Sequence, residues 1–409
     1  MRERLRVLRH RDFRNLWLGQ STSAMGDAVV IVAIALYVTE LTGDPTQVGI
    51  VLAAYLLPLI GFLLIGGVWA DRLPRERVMI AADVARATLH TILAALIFKG
   101  AVAIWHLVVI EACYGTAQAF FQPAYTGIVP RTVPPGEVQQ AQALSSLTLN
   151  LAELTGPAIA TALVLGVGAG WAFLLDAATF AVSAACLLRV TTAGTAPAPD
   201  ERGTVLAELS EGFREVSSRP WLWVTVVVFS LAVPVGYAPL FVLGPTIAKE
   251  TYDSAAVFGI VTAAYGAGAL IGALIGLRWR PRHPMRTAFL VVAVWPLMLL
   301  AFATGAPVAL VLVLSVGTGV GFALFEVLWD TTMAERIPPH ALSRASAWEW
   351  MGSLALLPVG YLLAGPAADA SSPETVMLTG AALTAVALAV GLLPRDTRTL
   401  RRVEHGSHV

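Results

Sequence analysis

The sequence predicts an all-α membrane protein with twelve transmembrane helices arranged as two pseudo-symmetric six-helix bundles. Three observations predict it. Hydrophobic residues make up 57% of the chain and charged residues 13%, with a mean hydropathy of +0.72. Soluble domains carry about 25% charged residues, so no water-soluble core hides this much apolar surface. Twelve stretches approach the ~20 predominantly apolar residues a bilayer needs. The arginines fall on one side of the trace those stretches define.

The twelve spans are predicted at 14–41, 46–70, 78–98, 102–125, 138–166, 169–189, 221–248, 255–279, 285–304, 307–334, 341–364 and 374–393. The longest polar stretch divides them. It opens TTAGTAPAPDERG, a flexible linker composition. It continues TVLAELSEGFREVSSRP, where Val205, Leu209, Phe213 and Val216 recur at helical spacing. That spacing predicts an amphipathic helix lying on the membrane face. The organisation is therefore a first bundle at 1–189, a linker at 190–220, a second bundle at 221–393 and a tail at 394–409.

Orientation follows from charge. With the N-terminus inside, the clusters Arg2–Arg14, Arg72–Arg77, Arg278–Arg286 and Arg395–Arg402 are all cytoplasmic, as are Arg131, Arg189, Arg202, Arg214, Arg219, Arg336 and Arg344. The two lysines, Lys99 and Lys249, lie outside. This is the positive-inside pattern, and it places both termini in the cytoplasm. The basic start MRERLRVLRHRDFRNLW leads into the first span and lacks the cleavage site of a signal peptide. Cys113 and Cys186 lie in apolar runs and are expected to be buried, inert thiols.

The halves repeat. VGIVLAAYLLPLIGFLLIGGVWADRLPR, from Val48, is echoed by FGIVTAAYGAGALIGALIGLRWRPRHPM, from Phe258. Identical pairs include Tyr55 with Tyr265, Gly66 with Gly276, Trp69 with Trp279 and Arg72 with Arg282. VPRTVPPGEVQQAQA, from Val129, is echoed by MAERIPPHALSRASA, from Met333. A repeat of six spans keeps the same topology in both halves, the parallel arrangement of a large class of carriers that bind substrate near mid-membrane.

The loop after the second span carries Gly67-Val-Trp-Ala-Asp71-Arg72-Leu-Pro74-Arg75-Glu76-Arg77. With the twelve spans and the half-repeat, it resembles the major facilitator superfamily, departing from the usual pattern at Pro74 and Glu76. Within that family QSTSAMGDAV, QPAYTGIVPRTVPPGEV and NLAELTGPAIA are similar to the bacterial drug:proton antiporter branch near macrolide-efflux and enterobactin-exporter proteins. The resemblance implies a gating role for Gly67, Asp71, Arg72, Arg75 and Arg77, with Asp71 bracing the outward-open state. Pro281 stands where the second half would repeat that Asp. The antiporter motif is half present, as Gly156-Pro157 followed by Ala160-Thr161. The span-4 arginine of many drug exporters is replaced by Glu111.

Ionisable groups inside a membrane are costly and read as functional by default. Asp83 and Arg86, at i and i+3, form a candidate intramembrane pair. Asp27, Glu111, Glu153, Glu326 and Glu349 have no neighbouring base in sequence. A carboxyl withdrawn from water can bind and release a proton near neutral pH, as a proton-coupled carrier requires. Asp27, Glu153, Glu111 and Glu326 are the proton-coupling candidates. Glu349 between Trp348 and Trp350, together with Asp27 and Tyr55, forms the candidate substrate cavity, since aromatic faces attract cations. Asp176 and Asp330 lie toward span ends, where an interfacial position would account for them. His90 and His106 are expected to be structural. Gly268, Gly272 and Gly276 form a small-residue ridge for close helix packing. Pro58, Pro157, Pro234, Pro239, Pro245 and Pro358 are expected to kink their spans.

No phosphate-cradling glycine loop, metal-ligand spacing or catalytic constellation is present, so an enzyme is not expected. The reading is a secondary transporter, with the proton gradient as energy source and no cofactor or metal. It would export amphipathic or cationic small molecules, drugs or secondary metabolites, by alternating access, as a monomer in a bacterial inner membrane without nucleic-acid partners. An uptake symporter and a lipid or lysolipid flippase of the same fold are the alternatives.

Overall fold

The computed structural model describes residues 6–134, 137–191, 213–276, 278–338, 345, 348–349 and 351–401; the side chains of 64–72, 139, 143, 147, 150 and 154 also lie outside the description. The described chain is helical throughout, and it divides into two compact units, Met1–Pro199 and Asp200–Val409.

In the N-terminal unit the helices are α1 (Arg11–Thr42), α2 (Pro45–Arg72), α3 (Arg75–Phe98), α4 (Ile104–Ile128), α5 (Val138–Gly166) and α6 (Ala169–Leu187). In the C-terminal unit they are α7 (Pro220–Tyr252), α8 (Ala256–Gly276), α9 (Pro284–Ala303), α10 (Val308–Arg336), α11 (Met351–Ala370) and α12 (Pro373–Gly391), followed by the short α13 (Arg395–Thr399). Eleven of these are long and apolar enough to cross a bilayer. The predicted fourth span, α4, forms a helix of 25 residues but is not among the eleven. His106, Glu111, Gln118 and Gln122 offset its apolar residues.

Several boundaries have clear local causes. Gly43 ends α1 at φ 66°, and its N–H bonds the carbonyl of Thr39. This left-handed cap costs glycine no Cβ clash. Asp253, one repeat later, ends α7 in the same conformation at φ 55°. Aspartate is one of the few other residues that tolerate it. Pro74, the departure from the family pattern, caps α3, and its carbonyl accepts the N–H groups of Arg77 and Val78.

The predicted repeat reappears as packing. α2 lies most extensively on α4, and α8 on α10. A Cβ added at Gly115 of α4 would run into the carbonyl of Tyr55, and one added at Gly319 of α10 would run into that of Tyr265. The two glycines allow the same close helix approach in both units. Gly268 and Gly272 of the small-residue ridge press on the backbone of α10 at Val316 and Val320. The predicted kinks take a specific form in α7. Val233–Tyr237 is a π-helical turn with Pro234 inside it and Pro239 just beyond it, and both lack backbone N–H groups to continue the regular ladder. The carbonyl of Val235, left by Pro239, is approached by Gly380 of α12.

Two expectations are affected. Cys113 is exposed and Cys186 half-buried, both as free thiols, because an apolar run places part of its residues on the helix surface. Of the predicted amphipathic helix, Val205 and Leu209 lie outside the described residues. Residues 213–217 are helical, with Val216 buried and Phe213 exposed.

Candidate functional site

The buried charged and histidine side chains among the described residues are Asp83, Arg86, His90, Glu111 and Asp176, and all belong to the N-terminal unit. They arise from stripes at helical spacing. Asp83, Arg86 and His90 recur at i, i+3 and i+7 on α3, and Glu111, Tyr114 and Gln118 do so on α4. Such residues share one helix face. α3 packs on both α4 and α6, so the two stripes meet Asp176 and Ser183 of α6. α1 brings Asp27 to the same cluster. Its neighbour Gly26 leaves the space that the Asp176 carboxylate and the Thr179 hydroxyl occupy, since a Cβ there would overlap both. Gly156 of the antiporter-like motif lets α5 approach α1 at Ala28.

Two ion pairs organise the cluster. Arg86 Nη2 lies 2.5 Å from Asp83 Oδ1, and Nη1 donates to Gln118 on α4. The guanidinium also sits over aromatic rings, 4.4 Å from the centroid of Phe121 and 4.1 Å from that of Phe180, an arrangement that favours the cation. His90 Nδ1 lies 2.5 Å from Asp176 Oδ2. Its other ring nitrogen, Nε2, faces Glu111 Oε1 at 3.4 Å, and neither atom has a hydrogen-bond partner among the described residues. The Tyr114 ring stacks on His90 with centroids 4.4 Å apart, and its hydroxyl donates to Asp27. Tyr55 brings its ring to 5.8 Å from that of Tyr114. Asp27 and Tyr55 are half-buried, whereas Asp83, Glu111 and Asp176 are at most 1% exposed.

The structure thus brings together Asp27, Tyr55, Asp83, Arg86 and Glu111 of the sequence-predicted residues. It adds His90 and Asp176, which the sequence reading set aside as structural and interfacial. Asp176 sits about two helical turns into α6, and α1 and α3 pack on that helix and bury it. The stripe on α3 was the signal that could have identified His90. Arg86 of α3 reaches α4 at Gln118, about two turns beyond the position of the missing span-4 arginine.

Other candidates lie apart. Glu153 on α5, and Glu326 and Asp330 on α10, are exposed. Glu349 and Trp348 are half-buried in the C-terminal unit. Glu349 Oε1 accepts from Ser353 at 3.4 Å, and the Trp348 ring lies 5.3 Å from that of Phe213. Trp350 and the side chains of Gly67–Arg72 fall outside the described residues. Arg75 rests against Gly127 at the end of α4, where a Cβ would strike its guanidinium, and Arg77 is exposed.

The family model described as Major Facilitator Superfamily matches residues 16–353, which spans both units. The chain belongs to the Major Facilitator Superfamily. Among solved members of this fold, the nucleoside transporter NupG superposes with a TM-score of 0.72 at 13% identity, over 93% of this chain and 98% of its own. A bacterial homologue of the human lysosomal transporter Spinster also gives 0.72, at 15% identity over 97% and 99%. Curated relatives include the multidrug efflux pump Tap of Mycolicibacterium fortuitum, 29% identical over 402 residues, covering 94% of this chain and 95% of that one. Macrolide efflux protein A of Streptococcus pyogenes is 23% identical over 363 residues, covering 87% and 89%. This major facilitator protein is a multi-pass membrane transporter rather than an enzyme.

Proposed function

We propose that the protein is a proton-coupled exporter of cationic, amphipathic small molecules, working by alternating access in a bacterial cytoplasmic membrane with both termini inside. The observation that carries this reading is Asp27. It is the least buried carboxyl of an otherwise sealed acidic cluster, it lies near the middle of α1, and the Tyr114 hydroxyl holds it in place. A carboxyl so placed can exchange a proton or a cation with the substrate path while the buried pairs behind it stay fixed. Proton and cationic substrate then compete for one charge, which couples their movements in opposite directions. The names of the relatives, a multidrug efflux pump and a macrolide efflux protein, support the outward direction. The arginine distribution supports the orientation.

The test uses purified protein in liposomes under an imposed pH gradient, with cationic and neutral amphipathic dyes. Dye movement opposite to the proton flux is expected for the wild type and is expected to fall to background in Asp27→Asn. Movement that ignores the gradient, or a fully coupled Asp27→Asn protein, refutes the assignment. Movement in the direction of the proton flux identifies an uptake symporter instead.

A further inference from the structure

The N-terminal cluster contains more acids than bases. Asp27 enters from α1, Asp83 from α3, Glu111 from α4 and Asp176 from α6. The bases facing them are Arg86 and His90, both from α3. α2 contributes Tyr55 and α4 contributes Tyr114, both neutral phenols; the carboxyl of α5, Glu153, is exposed. With every acid ionised and both bases charged, the cluster would hold two uncompensated negative charges. A membrane interior does not sustain these, since an unpaired charge there is neutralised or paired. The pairing geometry says where the neutralising protons belong. Arg86 is committed to Asp83 and His90 to Asp176, each at 2.5 Å. Glu111 shares His90 with Asp176, at 3.4 Å, and Asp27 is left without a base of its own.

From this we infer that Glu111 is a second proton carrier, behind Asp27, and that one transport turn moves two protons. The reading rests on the exporter assignment above. Glu111 Oε1 is buried without a hydrogen-bond partner, and so is the His90 nitrogen that faces it. A single proton between these two atoms satisfies both, so the contact is a place where one is taken up or passed on. His90 in turn stacks on Tyr114, whose hydroxyl meets Asp27, so the two carboxyls share one continuous chain of side chains. Two protons entering for one monovalent cation leaving carry one net positive charge inward. The exchange is then electrogenic, and membrane potential drives it even at equal pH. With Asp27 as the one carrier, the same exchange would be electroneutral.

The experiment encloses a permanently charged aromatic quaternary ammonium dye and a pH indicator in liposomes bearing the full-length protein. It counts protons entering per cation leaving. The wild type is expected to give a ratio near two and, at equal pH, to speed up when a valinomycin potassium gradient makes the lumen negative. Glu111→Gln is expected to lower the ratio to near one and to lose the response to potential while still responding to a pH gradient. Glu111→Asp, which keeps the carboxyl, is expected to retain the wild-type ratio. A wild-type ratio near one, or an unchanged ratio in Glu111→Gln, overturns the inference and leaves the exporter assignment standing. Dye movement without any coupled proton overturns both. The wild-type ratio decides the matter by itself should Glu111→Gln fail to fold.

Discussion

Across α4 the N-terminal unit presents Glu111, Tyr114, Gly115, Gln118 and Phe121. At the same offset that relates the loops following them, α10 of the C-terminal unit presents Ser315, Thr318, Gly319, Phe322 and Phe325. The glycine is kept and makes the same close approach in both. The acid becomes a serine, whose hydroxyl donates to the carbonyl of Val261 at 2.6 Å. The glutamine becomes Phe322, which meets Trp295 at 5.2 Å and Tyr265 at 6.1 Å in an aromatic core shared with Phe229, Phe289 and Trp329. Among the described residues the C-terminal unit therefore packs this helix arrangement without buried charge. The ionic cluster of the N-terminal unit is not a requirement of the fold, and groups so costly to bury are explained by what they do.

The comparison can be broken most severely at Arg86. Arg86→Ala strands Asp83 in a sealed interior and is expected to cost about 3–5 kcal/mol, read as a lowered unfolding temperature in detergent. Adding Asp83→Asn to Arg86→Leu should recover much of that loss. A single substitution no more harmful than Phe325→Leu, a near volume-conserving change expected to cost under about 1.5 kcal/mol, would show that the two cores are energetically alike. Gly115→Val and Gly319→Val test the shared part of the design. Each forces a side chain against a backbone carbonyl and should cost about 1–3 kcal/mol, to a similar degree in both units. Unequal losses would show that the repeat is one of sequence and not of mechanical role. Ser315→Ala removes one buried hydrogen bond and should cost about 1 kcal/mol, with proton coupling unchanged. The smallest effects are expected at the exposed acids. Glu326→Gln and Glu153→Gln should shift stability by no more than about 0.5 kcal/mol and leave gradient-driven dye transport intact. Loss of coupling in Glu153→Gln would move the proton site to α5.

Helix number, repeat and charge asymmetry were legible because each is a one-dimensional property. Apolar runs announce spans, and arginines mark one face. The Asp83–Arg86 pair was legible for the same reason, being a contact between residues three apart. The His90–Asp176–Glu111 contact was not, because its members come from three helices and each looks isolated along the chain. His90 had a sequence signal in its place on the Asp83–Arg86 stripe, but a lone intramembrane histidine reads first as structural. Glu153 lies apart from that cluster. An acid in an apolar run suggests burial, yet its side of α5 is exposed. Asp27 and Glu111 were conspicuous in the sequence because a bilayer makes any ionisable residue so.

The polar residues of α4 have a consequence for biogenesis. Glu111, Tyr114 and Gln118 meet their partners on other helices: His90 and Arg86 on α3, and Asp27 on α1. Until those helices lie beside it, this face of α4 would meet lipid, so α4 is expected to settle in the membrane together with α1 and α3. The residues assigned to moving protons in the finished protein thus also bear on how the N-terminal unit is assembled.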